Sequence, residues 1–193
     1  MLPRLKTAAL VIALAATAGL AAFAGTRDDT GMQTSLAGMA APGFTGIERW
    51  HNSAPLTLEQ LRGKVVLVDF WTYSCINCIH TIPYVNDWYR KYRDQGLVVV
   101  GVHTPEYPFE RDAKNVADAI RRFDIRYPVA QDNRYDTWRA YGNQYWPALY
   151  LIDASGKIVY TRYGEGGYDK TEAAIREALA QAKAGMKDST RTQ

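Results

Sequence analysis

Two runs of consecutive apolar, largely β-branched residues constrain this chain most: Val-Val-Leu-Val-Asp-Phe at 65–70 and Leu-Val-Val-Val-Gly-Val at 97–102. A run without polar alternation fits a strand covered on both faces, as in parallel sheets. Between the runs, Ile82, Val85, Tyr89 and Tyr92 recur at helical spacing within residues 75–93, and Gly96 supplies a stop. Strand, helix and strand in that order form a βαβ unit, so the two strands are expected to be parallel with a right-handed crossover. Pro83 lies inside the helical stretch and is expected to kink it, because its ring removes a backbone donor and crowds the carbonyl four residues back.

Around this unit, residues 44–50 read as an opening strand. Thr57 and Gln60 have the spacing of a capping box, for a one-turn helix stopped by Gly63. Further helices are expected at 115–123 and 136–141. Residues 148–153 and 157–163 flank an Ala-Ser-Gly turn and read as an antiparallel hairpin. Asp169 and Glu172 open a last helix with Ile175 and Leu179 inward. The result is an α/β fold, a mixed central sheet flanked by helices.

The chain begins differently. Arg4 and Lys6 precede a stretch at 7–26 with no charge, which ends on the small-x-small pattern of Ala22, Phe23 and Ala24. Residues 1–24 therefore read as a signal peptide or an N-terminal anchor, with 7–26 as the membrane segment in the second case. Both place the body in the periplasm or otherwise outside the cytoplasm. Residues 25–43 lack any period and read as a flexible linker, 44–184 as the folded domain and 185–193 as a polar tail. At 193 residues with a net charge of +3 and no basic cluster, nothing points to nucleic acid.

The chemistry lies in Cys75 and Cys78, the only two cysteines. Cys75 follows a strand and opens a helix, where unpaired backbone N–H groups and the helix dipole favour a thiolate. Cys78 is one turn further on the same face, within disulfide reach. Such a pair can attack a disulfide and then resolve the mixed disulfide. A structural zinc site needs more ligands than two cysteines, and a c-type haem needs histidine directly after the second cysteine, where Ile79 stands. No cofactor and no metal is expected.

Val-Asp-Phe-Trp at 68–71, followed by Cys75, Cys78 and Pro83, resembles the thioredoxin superfamily. Residues 56–72 and Pro-Ala-Leu-Tyr-Leu-Ile-Asp at 147–153 are similar to its exported TlpA/redoxin branch. More narrowly, Phe-Trp-Thr-Tyr-Ser-Cys-Ile-Asn-Cys at 70–78, Gly-Val-His-Thr-Pro-Glu at 101–106 and Tyr-Trp-Pro at 145–147 resemble the soluble redoxin domain attached to DipZ-type membrane thiol transporters. The likeness covers about residues 44–182. It implies a thioredoxin-like fold and a thiol–disulfide oxidoreductase acting on protein disulfides or thiols. Cys75 would be the nucleophile, Cys78 the resolving thiol, Pro147 the cis-proline facing them, and Asp69 the buried carboxylate that takes the proton of Cys78. With no multi-span region of its own, the chain would draw electrons from a separate membrane donor of the DipZ/CcdA type.

The rim of the site is expected to include Ser74, Ile76, Asn77, Trp146 and His103. Ser74 replaces the tryptophan usual in thioredoxins. Ile76 and Asn77 bring no charge between the cysteines, which favours reduction of substrates over their oxidation. His103 ends the second parallel strand, at the sheet edge where α/β proteins bind ligands. His51 and His80, with Trp50, Trp88 and Trp138, read as surface or packing residues. Thr81 stands where the reductants of cytochrome c maturation usually carry glutamate, which argues against that job. Two alternatives remain at this stage. Thr72, three residues before Cys75, matches a peroxidatic thiol pattern. Two thiolates plus His103 would suit a copper-binding chaperone of thioredoxin fold.

Overall fold

Both apolar runs are strands in the computed structural model, which describes residues 36–191, with side chains to 187. The segment read as signal peptide or anchor lies outside the described residues, as do linker residues 25–35. Strand β2 (Val65–Trp71) is buried at every position, and β3 (Leu97–His103) at all but one. They pair in parallel, Val65 with Leu97 through Trp71 with His103. Helix α1 (Ile76–Tyr92) connects them and carries Pro83 inside it. Strands β5 (Ala148–Ile152) and β6 (Ile158–Tyr163) form the expected antiparallel hairpin, and β5 pairs with β2.

Two short strands complete the sheet. The opening strand contracts to β1 (Arg49–His51), antiparallel to β4 (Val129–Gln131), which adds in parallel to β3. Nothing in the sequence singled out β4, because three residues show no period. The six-stranded order is β1-β4-β3-β2-β5-β6. Thr57 and Gln60 exchange the expected capping hydrogen bonds, but residues 58–63 form turns rather than a helix.

Strand alternation sorts the β2 side chains between two cores. Val65, Leu67 and Trp71 meet α1, α2 (Ala113–Arg122) and α4 (Tyr168–Arg191) through Ile82, Val85, Trp88, Val116, Ile120, Ile175 and Leu179. Val66, Val68 and Phe70 face the other way, onto Leu58, Tyr141, Tyr150 and Trp138 of α3 (Asp136–Ala140). Asp69 therefore shares a face with Leu67 and Trp71, beneath α1.

The ends depart from expectation. Residues 36–43, read as linker, run along the start of β6: the Gly38 N–H donates to the Ile158 carbonyl at 2.8 Å, and Ala40 bridges Lys157. Leu36 and Ala41 pack on the Phe70 side of the sheet. The missing period there reflects irregular backbone, not freedom. At the other end α4 continues to Arg191, through the segment read as a polar tail. Among the described residues no helix is long and apolar enough to cross a membrane.

Candidate active site

The turn between β2 and α1 sets the two sulfurs in different surroundings. Cys75 is the N-cap of α1, with extended backbone (φ −73°, ψ 116°) and a half-buried side chain. The neighbouring Cys78 thiol first, and then the backbone N–H groups of Cys78 and Asn77, outweigh partial burial and lower its pKa from 9.0 to about 6. Unpaired amides at a helix N-terminus act in this direction. Cys78 is 1% exposed, and burial pushes its thiol far up, reinforced by the Cys75 sulfur. Both are free thiols.

Beneath them Asp69 is 1% exposed, and neither carboxylate oxygen has a hydrogen-bond partner. Burial first, and the Cys75 charge second, raise its pKa from 3.8 to about 7. Trp71 Nε1 and the Tyr127 hydroxyl are likewise buried without partners. Nothing in the sequence singled out Tyr127. Its ring and the Trp71 indole both close over Gly101, the ladder partner of Asp69, which places it in the same buried cluster.

The Trp146–Pro147 peptide is cis, and the Trp146 carbonyl accepts from Cys75 Sγ at 3.9 Å. The Trp146 indole is half-buried; its N–H donates to the Thr104 carbonyl at 3.0 Å and its ring lies 4.1 Å from that of Trp138. Ser74, Ile76 and Asn77 are exposed around Cys75.

His103 does not join them. Its side chain is fully buried, 5.1 Å from the Trp71 ring and stacked on Tyr73 at 5.6 Å, with Nε2 3.4 Å from Thr72 Oγ1. It lies behind the site and offers a docked molecule no surface. Burial lowers its pKa to about 4, so the ring is neutral at ordinary pH. The copper alternative thereby loses its third ligand, and no group of three metal-ligating side chains occurs among the described residues. Thr72 turns its hydroxyl to His103, which leaves the peroxidatic pattern without support. His80 is exposed and meets Glu165 at 3.2 Å, whereas His51 contacts Gln131. The Thr81 hydroxyl donates to the Asn77 carbonyl at 2.8 Å, bracing the first turn of α1.

Glu110 also escaped the sequence reading. It lies in the 3-10 turn Pro108–Arg111, is fully buried, and has no salt bridge among the described residues. Its Oε1 accepts from Ser74 Oγ at 2.6 Å and Ser74 N at 3.3 Å; Oε2 accepts from Glu106 N at 2.6 Å and Tyr107 N at 2.9 Å. The only sequence signal was a glutamate three residues after Tyr107, at capping spacing.

A profile of the family described as Redoxin matches residues 36–179. This chain belongs to the redoxin family. Among similar proteins, DipZ of Mycobacterium bovis is 53% identical over 150 residues, 76% of this redoxin and 22% of DipZ. The redoxin thus spans less than a quarter of that relative's length. Thiol-disulfide oxidoreductase YkuV of Bacillus subtilis is 34% identical over 143 residues, 74% of this chain and 95% of YkuV. A thioredoxin-like protein solved in solution in its oxidised form superposes with a TM-score of 0.68 at 33% identity, covering 74% of this chain and 95% of that one. The fold is thioredoxin-like.

Proposed function

We infer that this redoxin exchanges disulfides with protein substrates through Cys75 and Cys78. The asymmetry of the two sulfurs carries the reading: one half-exposed thiol with a pKa near 6, and one buried thiol beside an unpartnered carboxylate. The relatives' thiol-disulfide oxidoreductase activity supports it.

The Cys75 thiolate attacks one sulfur of a substrate disulfide. The substrate S–S bond breaks, and the departing sulfur leaves as a thiolate that takes a proton from water. Cys78 then gives its proton to Asp69 and attacks Cys75 Sγ. The second substrate sulfur leaves as a thiolate and takes the proton that Asp69 returns, and the protein holds a Cys75–Cys78 disulfide. Two electrons pass to the substrate. Asp69 suits the proton-accepting step because a pKa of about 7 lets it both take and return a proton near neutrality. Pro147 and Trp146 form the wall opposite Cys75, and Ser74, Ile76 and Asn77 form the exposed rim.

We place the direction on the reducing side. A Cys75 pKa of about 6 is nearer the value of roughly 7 for thioredoxin than the roughly 3.5 for a strong oxidant. Export through residues 1–24, and recharging by a membrane donor of the DipZ/CcdA type, complete the proposal. Cell fractionation of the tagged full chain checks the first part.

The test is trapping. Cys78→Ser, mixed with a disulfide-bonded protein substrate, is expected to accumulate an adduct through Cys75 that dithiothreitol releases, and Cys75→Ser is expected to form none. Adducts equal in both variants, or absent from both, would overturn the assignment.

A further inference from the structure

The exchange chemistry proposed above needs the turn before α1 held still, because Cys75 gains from the positive, open N-terminus of α1 only while the turn keeps it at the N-cap. That turn has no cap of its own: Cys75 makes no side-chain capping hydrogen bond. What holds it comes from the loop after β3. Tyr73 donates its hydroxyl to the Phe109 carbonyl at 3.0 Å. Ser74, next to Cys75, gives both its N–H and its hydroxyl to Glu110.

The residue type at 110 follows from what surrounds it. Four donors converge there, Ser74 N and Oγ on one oxygen and Glu106 N and Tyr107 N on the other. Only a carboxylate presents acceptors on both atoms; an amide would turn its NH2 against two donors. Burial opposes the charge, and the bonds from Ser74, Tyr107 and Glu106, with the Thr72 hydroxyl close by, more than offset it, so the group lies below the usual carboxylate value. A buried charge paired only with hydrogen-bond donors, not with a cation, is an expensive choice for mere loop closure.

We propose that Glu110 is a positioning residue for Cys75: its carboxylate joins the loop after β3 to Ser74 and so fixes the turn that holds Cys75 at the N-cap of α1. Glu110 itself touches no reacting atom.

The sign of its effect separates this role from simple electrostatics. Removing a nearby negative charge, with nothing else altered, makes a thiolate easier to form. Losing the clamp makes it harder, because the sulfur is no longer held at the positive end of α1. Thiolate absorbance and iodoacetamide alkylation of the reduced full chain, followed from pH 4 to 9, report the Cys75 titration without any substrate. In Glu110→Gln the titration is expected to move to higher pH, with about tenfold less thiolate at pH 5 and an alkylation plateau at high pH within twofold of the parent. Ser74→Ala removes one of the four bonds and is expected to move it the same way by less, which keeps the test available if Glu110→Gln does not fold. A titration that stays in place or moves to lower pH in a folded variant overturns the proposal. Failure of the exchange reaction itself would show in the unmutated protein, and so is distinguishable.

Discussion

Asp69 lies opposite Gly101 in the parallel β2–β3 ladder, and the side chain that Gly101 lacks is the space into which the buried cluster closes. A Cβ at 101 would sit 3.0 Å from Trp71 Nε1 and 3.0 Å from Tyr127 Cε2. The carboxylate thus shares one sheet face with two aromatic residues whose polar atoms are unpartnered, and it is this enclosure, not a neighbouring cation, that governs its proton.

Gly101→Ala follows directly. Overpacking a full core costs about 1–3 kcal/mol, against which the smaller unfolded-state entropy of alanine returns about 0.5–1 kcal/mol. Chemical denaturation is expected to give a net loss of stability, with an unchanged slope. A more stable variant would mean that the aromatic rings move aside freely.

Asp69→Asn tests both stability and chemistry. The folded pKa of about 7 lies above the ordinary 3.8, so between these values the native state holds a proton that the unfolded chain has released. Stability therefore falls as pH rises from about 4 to 7, and the loss is complete above 7. The variant is expected to lack this falling limb and to exceed the parent by a few kcal/mol at pH 8. It is also expected to slow resolution of the mixed disulfide at least about tenfold, leaving its formation unchanged, in stopped-flow measurements with a disulfide substrate.

The thiols should respond unequally to alkylation. Cys75 is expected to react with a pH midpoint near 6, and Cys78 to stay unmodified in the folded protein through pH 9. Mass mapping after brief labelling distinguishes them. Since the folded Cys75 pKa is depressed, it adds stability to the reduced form above pH 9 that is lost as pH falls through 6. Reversed labelling would exchange the roles of the two sulfurs.

His103 is expected to remain neutral through the physiological range. Its pKa lies at about 4, below the ordinary 6.5, so in that window the unfolded chain binds the extra proton and stability falls as pH drops from 6.5 towards 4. Its ring resonances in NMR should stay unprotonated at pH 6. Titration near 6.5 would mean the ring is hydrated.

The parts of the fold legible from sequence are those with long patterns. The runs that became β2 and β3, the spacing of Ile82 and Val85, and the turn at 154–156 each state one structure. The sheet's far side was only half legible: the opening strand was read at 44–50 and contracts to β1, whereas its partner β4, three residues long, gave no signal. At the site, Cys75 and Cys78 announce themselves through spacing, but Glu110 and Tyr127 come from distant segments and act through burial, which a single residue in a loop or a core does not advertise. His103 was misplaced at the rim for the same reason. Being last in β3 put it at the right edge, but the stack on Tyr73 turned its ring inward.

Equilibration of the full chain in thiol buffers of graded potential, with an acid quench and the free thiols of the denatured chain counted by mass after alkylation, tests the exchange chemistry most directly. The expected result is one two-electron transition in which Cys75 and Cys78 lose their labels together, at a potential nearer the roughly −270 mV of thioredoxin than the roughly −120 mV of a strong oxidant. Two thiols that remain alkylatable across the whole range would contradict the redox role, and a midpoint near −120 mV would reverse its direction.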